Sequence, residues 1–99
     1  GVTAIITGSD LQALGAIHTI TSMGLSVPAD ISVIGFDDSF LMSHLSPGLT
    51  TVHQPVPAIV TAAVRNLFEA LATPDYTPEH ADYVFSPDLV VRGTTAHAR

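Results

Sequence analysis

The sequence predicts an α/β domain built on a parallel, doubly wound sheet. Two β-branched apolar runs, residues 2–7 and 31–36, flank a segment whose apolar residues have helical spacing. Continuous apolar runs are typical of strands that are buried on both faces of a parallel sheet. A strand, a helix and a second strand within about 35 residues form a βαβ unit, whose strands are parallel in almost all cases.

The first predicted helix begins at Ser9. Ser9 and Gln12 have the S-x-x-Q spacing of a capping box, in which the two side chains satisfy free amides at a helix start. Apolar residues then recur with helical spacing as far as Met23, and Gly24 is placed to end the helix. Gly15 inside this helix costs about 1 kcal/mol relative to alanine, so we expect it to allow another segment to approach closely.

Three further features follow the first helix. The second predicted strand, residues 31–36, ends at the turn-forming residues Asp37, Asp38 and Ser39. Residues 39–48 are irregular but apolar, which favours a short helical turn. Residues 49–53 are predicted to be a third, short extended piece.

A second helix is predicted over residues 57–72. Pro57 suits its first turn, and an apolar stripe runs along one face, formed by Val60, Val64, Leu67 and Leu71. Residues 73–81 are a polar, proline-bearing linker. Residues 83–85 and 89–92 are predicted to be closing strands that Pro87 interrupts.

Composition excludes several classes of function. The 99 residues include nine carboxylates, three arginines and no lysine, for a net charge of −6. Three scattered arginines cannot supply the clustered positive charge of a nucleic-acid surface or of a polybasic membrane surface. The chain has no cysteine, so it has neither disulfides nor thiolate metal sites, which is compatible with a reducing compartment.

Polar side chains follow each predicted strand. Ligands of open parallel sheets bind outside the carboxyl ends of the strands. The residues at these ends are Ser9, Asp10, Asp37, Asp38, His53 and Gln54. Hydroxyl, carboxylate and amide groups are good partners for the hydroxyls or amines of a small polar ligand.

Several of these residues also have a simpler structural explanation. N-capping alone explains Ser9, and the favourable field at a helix start explains Asp10. Shaping of the turn explains Asp38. Asp37 is harder to explain in this way, because an acidic side chain directly after a buried strand needs a partner.

The sequence predicts no enzyme, no cofactor and no metal site. The segment Gly8-Ser9-Asp10 lacks the second glycine of a nucleophile elbow, and no glycine-rich phosphate loop is present. Asp37 and Asp38 are sequence neighbours, so their carboxylates diverge more naturally than they converge on one bond. The five histidines lack the spacing of zinc ligands.

Four segments of the chain carry more specific motifs. They are GLSVPADISVIGFDD at residues 24–38, PGLTTVHQP at 47–55, LVVRGTT at 89–95 and SDLQALG at 9–15. In this combination and order they resemble the signatures of the lactose/galactose-repressor (LacI/GalR) family of bacterial transcription regulators. The resemblance spans essentially the whole chain.

The resemblance implies a type I periplasmic-binding-protein-like sensor domain, in which two α/β subdomains enclose a small effector. Residues 1–53 would belong to the C-terminal subdomain. Residues 54–72 would form a hinge crossing and a helix of the N-terminal subdomain, and residues 73–99 would form a linker and closing strands. The chain begins at Gly1, and we expect it to be a fragment that lacks the helix-turn-helix head and the first half of the sensor.

The resemblance also implies roles for individual residues. Asp37 matches the effector-contacting aspartate of the family, and Gln54 matches a hinge residue beside the pocket. Ser9 stands where the family has a ligand-contacting asparagine, and it departs from the pattern because serine is shorter and has no amide. Asp10, beside Ser9, completes the predicted effector-binding set. Four residues match the region where family members form dimers: Leu14, Leu41, Met42 and Leu45.

The function that the resemblance implies is allosteric control of transcription in the cytoplasm. A small effector, a sugar or related polar metabolite, would bias the orientation of the subdomains and thereby change how a homodimer presents its DNA-binding heads. DNA would be contacted only through the absent head, and no membrane would be involved. The alternative is a sugar-type solute-binding protein of a transport system, which would be monomeric and exported.

Overall fold

The computed structural model describes residues 1–73 and 84–98. Its elements in chain order are β1 (Ala4–Ile6), α1 (Asp10–Ser22), β2 (Ser32–Asp37), a 3₁₀ helix (Phe40–His44), β3 (Thr50–His53), α2 (Val56–Ala72) and β4 (Asp88–Val90). This arrangement confirms the α/β class. The chain divides into two compact units, Gly1–His53 with Asp88–Arg99 and Gln54–Pro87. The assignment of these units to the two subdomains of a sensor stays a prediction.

The sheet of the first unit has the order β1-β2-β3-β4. The first three strands are parallel, which confirms the predicted βαβ unit, and the register places Asp37 opposite His53. β4 is antiparallel to β3, with Asp88 opposite His53. The sheet is therefore mixed, and its three parallel strands place their carboxyl ends at one edge.

Local signals define both ends of α1. The Ser9 Oγ accepts a hydrogen bond from the Gln12 amide at 3.1 Å, and the Gln12 Oε1 accepts one from the Gly8 amide at 2.9 Å. At the other end Gly24 has a φ of +80°, and its amide donates to the Thr21 carbonyl at 3.0 Å. The predicted capping box and the predicted glycine stop are both confirmed.

The core of the first unit lies between α1 and the sheet. Its buried apolar side chains are Ala13, Ile20, Val33, Met42 and Leu49. The C-terminal segment is fastened to the sheet beside this core. The Thr94 Oγ1 donates to the Val33 carbonyl at 2.7 Å and accepts from the Thr50 amide at 2.9 Å. The buried Thr94 hydroxyl thus joins the C-terminal segment to the backbones of β2 and β3.

The structure corrects three predictions. The first strand is shorter than residues 2–7 and is not buried on both faces, because the described part of the chain leaves Ile6 75% exposed. It also lies at the edge of the sheet, since β1 pairs only with β2 among the described residues. Gly15 is exposed, and a Cβ there would meet no atom within 4 Å, so no segment among the described residues approaches it closely. Val84 and Phe85 do not form a strand. The linker at residues 74–81 and Tyr83 lie outside the described residues.

The second unit contributes one helix of 17 residues, α2. Pro57 stands in its first turn as predicted, but none of its residues is buried, and the four residues of its apolar stripe are exposed: Val60, Val64, Leu67 and Leu71. Another part of its surface lines a groove together with Val84 and Phe85. No helix in the described part of the chain is long and apolar enough to cross a membrane.

Candidate functional site at the carboxyl ends of the parallel strands

A turn of unusual backbone conformation ends β2. Asp37 has a φ of +111° and Asp38 a φ of +57°, both in the region that favours glycine. Backbone held in this region by residues other than glycine costs on the order of 1–3 kcal/mol each and persists where surrounding contacts enforce it. Asp37 is exposed, whereas Asp38 is half-buried. This backbone conformation therefore places the Asp37 side chain at the surface and the Asp38 side chain partly inside the protein.

The Asp38 carboxylate binds one partner with each oxygen. Oδ1 lies 2.8 Å from the Arg92 Nη2, and Oδ2 lies 3.0 Å from the His53 Nδ1. The Arg92 side chain also donates from Nη1 to the Leu49 carbonyl at 2.9 Å. The side chains of Asp38 and Arg92 are only 17% and 19% exposed, so water competes little for the charge-assisted bond between them, whereas His53 is 48% exposed. The turn is thereby tied to His53 at the end of β3 and, through Arg92, to Leu49, the residue that precedes β3.

Asp10 lies beneath the same turn and is 2% exposed. Its Oδ1 accepts from the Thr51 hydroxyl at 2.7 Å, and its Oδ2 accepts from the Ser39 amide at 2.6 Å. Gly35 leaves the room for this carboxylate, since a Cβ there would lie 2.5 Å from the Asp10 Oδ1. Asp10 thus links α1, β3 and the turn, and it presents little surface to a ligand.

The other three predicted effector contacts each lie at or just after the end of a different parallel strand of the sheet. Ser9 is half-buried at the start of α1, where its hydroxyl is the N-cap. Asp37 lies at the end of β2, the neighbouring strand. Gln54 directly follows His53 and is the first residue of the second unit. The structure thus brings the ends of β1, β2 and β3 to one edge, as the parallel topology predicted.

The four residues predicted to form the dimer interface differ in exposure. Leu41, in the 3₁₀ helix, is 61% exposed, and the neighbouring Phe40 is exposed as well. Met42 is only 7% exposed and belongs to the core. Leu14 and Leu45 are partly buried and pack against that core. Leu41 is therefore the member of this set with the most surface available to a partner.

Arg92 and Thr51 were not singled out as site residues from the sequence. The composition contained a signal for Arg92, because it is one of only three cations in a chain with nine carboxylates. Thr51 carried no such signal, since its burial and its two partners depend on the pairing of β2 with β3. Within residues 1–73 and 84–98, no group of three or more histidine and acidic side chains is arranged to hold a metal ion.

The fold and this edge define a ligand-binding α/β domain, the class in which ligands contact the carboxyl ends of parallel strands. A family model described as a periplasmic binding protein-like domain matches residues 2–95. The chain belongs to the LacI family of transcriptional regulators, as part of their periplasmic-binding-protein-like sensor domain.

Individual relatives agree with this assignment. The HTH-type transcriptional regulator MalR of Streptomyces coelicolor is 53% identical over 97 residues, which cover 97% of this chain and 27% of that protein. A LacI family regulator from Lactobacillus casei with bound sucrose is 31% identical, with a TM-score of 0.77 over 94% of this chain and 33% of that one. The lac repressor dimer bound to operator and an anti-inducer is 35% identical, with a TM-score of 0.81 over 94% and 32%. The chain thus spans about a quarter of the length of its curated relative.

Proposed function

We propose that this chain is the effector-binding and dimerisation part of a cytoplasmic LacI-type regulator whose DNA contacts are made by a separate helix-turn-helix head. Effector binding would change how a homodimer presents its two heads, an allosteric coupling between separate sites. The similarity to a regulator of the HTH type over 97% of this chain supports this function over a solute-binding component of a transport system.

The observation that carries the effector site is the exposed Asp37 in a left-handed conformation at the end of β2. A carboxylate in this place accepts hydrogen bonds from ligand hydroxyls. We propose a sugar as the effector, since the Lactobacillus casei relative binds sucrose. Ser9 and Gln54 are proposed as further contacts. Asp10, predicted as a fourth, is proposed to act from behind the surface because both of its oxygens accept internal bonds.

A thermal-shift screen of the full-length regulator against sugars, polyols and nucleobases tests the effector class. A ligand at one hundred times its Kd stabilises the folded protein by about 2.7 kcal/mol, so a true effector raises the melting temperature measurably. We expect sugars to be the stabilising class. Stabilisation by nucleobases alone would contradict the proposal.

Calorimetry on Asp37→Asn then tests the site itself. The substitution keeps the shape of the side chain and removes the charge that strengthens bonds to ligand hydroxyls, so we expect affinity for the stabilising sugar to fall about 10- to 100-fold. Glu69→Gln, which neutralises an exposed carboxylate on α2, is the matched control and should bind as the wild type does. Wild-type affinity in Asp37→Asn would refute the assignment.

Light scattering tests the proposed dimer. Leu41→Lys places a charge at the most exposed residue of the predicted interface, and burying that charge without a partner is costly. We expect the full-length variant to be monomeric at micromolar concentration. Met23→Lys makes the same kind of change at an exposed residue beyond α1 and should remain dimeric. A dimeric Leu41→Lys variant would place the interface elsewhere.

A further inference from the structure

We propose that Asp38 and Arg92, together with His53, are positioning residues that hold the β2 turn and so aim the Asp37 carboxylate at the effector. This inference rests on the proposed function of Asp37. It concerns residues that would not touch the ligand, and it explains why two consecutive aspartates end one strand.

The backbone of the β2 turn is strained at two consecutive residues. Asp37 and Asp38 both have positive φ values, +111° and +57°. Left-handed backbone brings Cβ close to the following carbonyl, a cost that aspartate bears more readily than most residues but that still favours contacts which hold the turn in place. The contacts of the next two residues, Asp38 and Ser39, help to hold the turn in this conformation.

One anchor of the turn is the Asp38 side chain. Each carboxylate oxygen has its own partner, Arg92 at 2.8 Å and His53 at 3.0 Å. Arg92 is itself fixed, because its second guanidinium nitrogen donates to the Leu49 carbonyl at the start of β3. Its forked donors suit this double role, which a lysine ammonium fills less well. Asp38 is thus held directly to His53 at the end of β3 and, through Arg92, to Leu49, the residue that precedes β3.

A second anchor is on the backbone of the turn. The Asp38 amide donates to the Thr51 hydroxyl at 3.3 Å, and the Ser39 amide donates to Asp10 at 2.6 Å. The same Thr51 hydroxyl donates to Asp10 at 2.7 Å. The Ser39 amide is therefore tied to a buried network, and the Asp38 amide adds a longer, weaker bond to the same network. Of the three aspartates at the start of α1 and in the turn, Asp10 and Asp38 hold the turn, and Asp37 lies at the surface.

Hydrogen exchange of the full-length regulator without ligand tests the restraint directly. We expect Asp38→Asn and Arg92→Gln to speed exchange of amides in residues 36–40 about tenfold, since each removes a charge-assisted bond. Exchange within α1 should not change. Arg92→Lys keeps the charge but loses the fork, so its effect should be smaller than that of Arg92→Gln. Unchanged exchange at residues 36–40, or equally faster exchange throughout the first unit, would overturn the proposal.

Matched controls are available in the second unit. Arg65→Gln and Glu69→Gln make the same chemical changes at exposed residues of α2. Neither should alter exchange at residues 36–40. An equal effect from either control would show that loss of charge alone loosens the turn, and this would overturn the role of Asp38 and Arg92.

Calorimetry with sucrose as the probe tests the consequence for binding. We expect Arg92→Gln to weaken sucrose binding about tenfold in the wild-type background and to have no further effect in an Asp37→Asn background, because Arg92 acts through Asp37. Losses that add in the double variant would overturn this dependence, as would faster exchange with unchanged affinity. A wild-type protein that binds no sugar would contradict the proposed effector class, whereas the exchange experiment would still decide the role of Asp38 and Arg92.

Discussion

Replacement of Thr51 by valine tests the buried network beneath the candidate site. The two side chains have nearly the same shape, so the variant leaves no cavity and loses only the hydroxyl. That hydroxyl donates to the buried Asp10 carboxylate at 2.7 Å and accepts from the Asp38 amide at 3.3 Å. Thr51 is fully buried, so water cannot replace the lost partner of either group.

The expected cost follows from these two bonds. A hydrogen bond to a charged group contributes about 1.5–3 kcal/mol, and a buried acceptor left without its donor costs a similar amount. The bond at 3.3 Å is long and contributes little. We therefore expect the free energy of unfolding to fall by about 2–3 kcal/mol. For a domain of 150–250 residues this corresponds to a melting temperature lower by roughly 4–12 °C.

Differential scanning calorimetry of the full-length regulator measures this shift. Thr19→Val makes the same exchange at an exposed position of α1 and should stay within about 0.5 kcal/mol of the wild type. Thr51→Ser, which retains the hydroxyl, should recover most of the loss. If Thr51→Val melts together with Thr19→Val, the network contributes nothing and the role assigned to Asp10 is wrong.

Three further predictions concern the glycines and the helix cap of the first unit. Gly35→Ala places a Cβ 2.5 Å from the Asp10 Oδ1 and 2.8 Å from a Leu49 methyl group; we expect a loss of about 1–3 kcal/mol from this overpacking, visible as a lower urea midpoint. Gly24→Ala forces alanine to a φ of +80° and should cost roughly 1–2 kcal/mol in the same assay, and a neutral result would refute the glycine stop. Ser9→Ala removes the N-cap and should cost about 1 kcal/mol, whereas Ser9→Asn keeps a capping oxygen and should melt like the wild type. If effector affinity also falls in Ser9→Ala, the hydroxyl contacts the ligand, and unchanged affinity leaves it as a cap alone.

The elements that the sequence predicted correctly depend on neighbours in the chain. Ser9 and Gln12 are three residues apart, and Gly24 acts through its own φ, so both ends of α1 are encoded locally. The parallel pairing of β1 and β2 was predictable from similar local signals. Two strands joined by a helix are parallel, with a right-handed crossover, in almost all cases. The carboxyl-end rule then indicated which edge carries polar groups.

The contacts of the candidate site depend on tertiary structure and were not predictable in the same way. Asp10 was predicted to contact the effector or to favour the helix start, and its burial beside Gly35 of a neighbouring strand was not foreseen. Asp38 looked like a turn residue, yet it pairs with Arg92 from the far end of the chain. The expected close approach at Gly15 was wrong because propensity alone says nothing about which helix face is covered. The roles of Asp37 and Gln54 in effector binding stay predictions.

The most direct test of the account is a crystal structure of the full-length regulator with the sugar identified by the thermal-shift screen. We predict a ligand hydroxyl within hydrogen-bond distance of the Asp37 carboxylate, about 2.5–3.0 Å, while the Asp38 carboxylate remains on Arg92 and His53. A sugar bound away from Asp37 would contradict its role as a ligand contact. A sugar that binds Asp38 and displaces Arg92 from it would contradict the role of Asp38 in holding the turn.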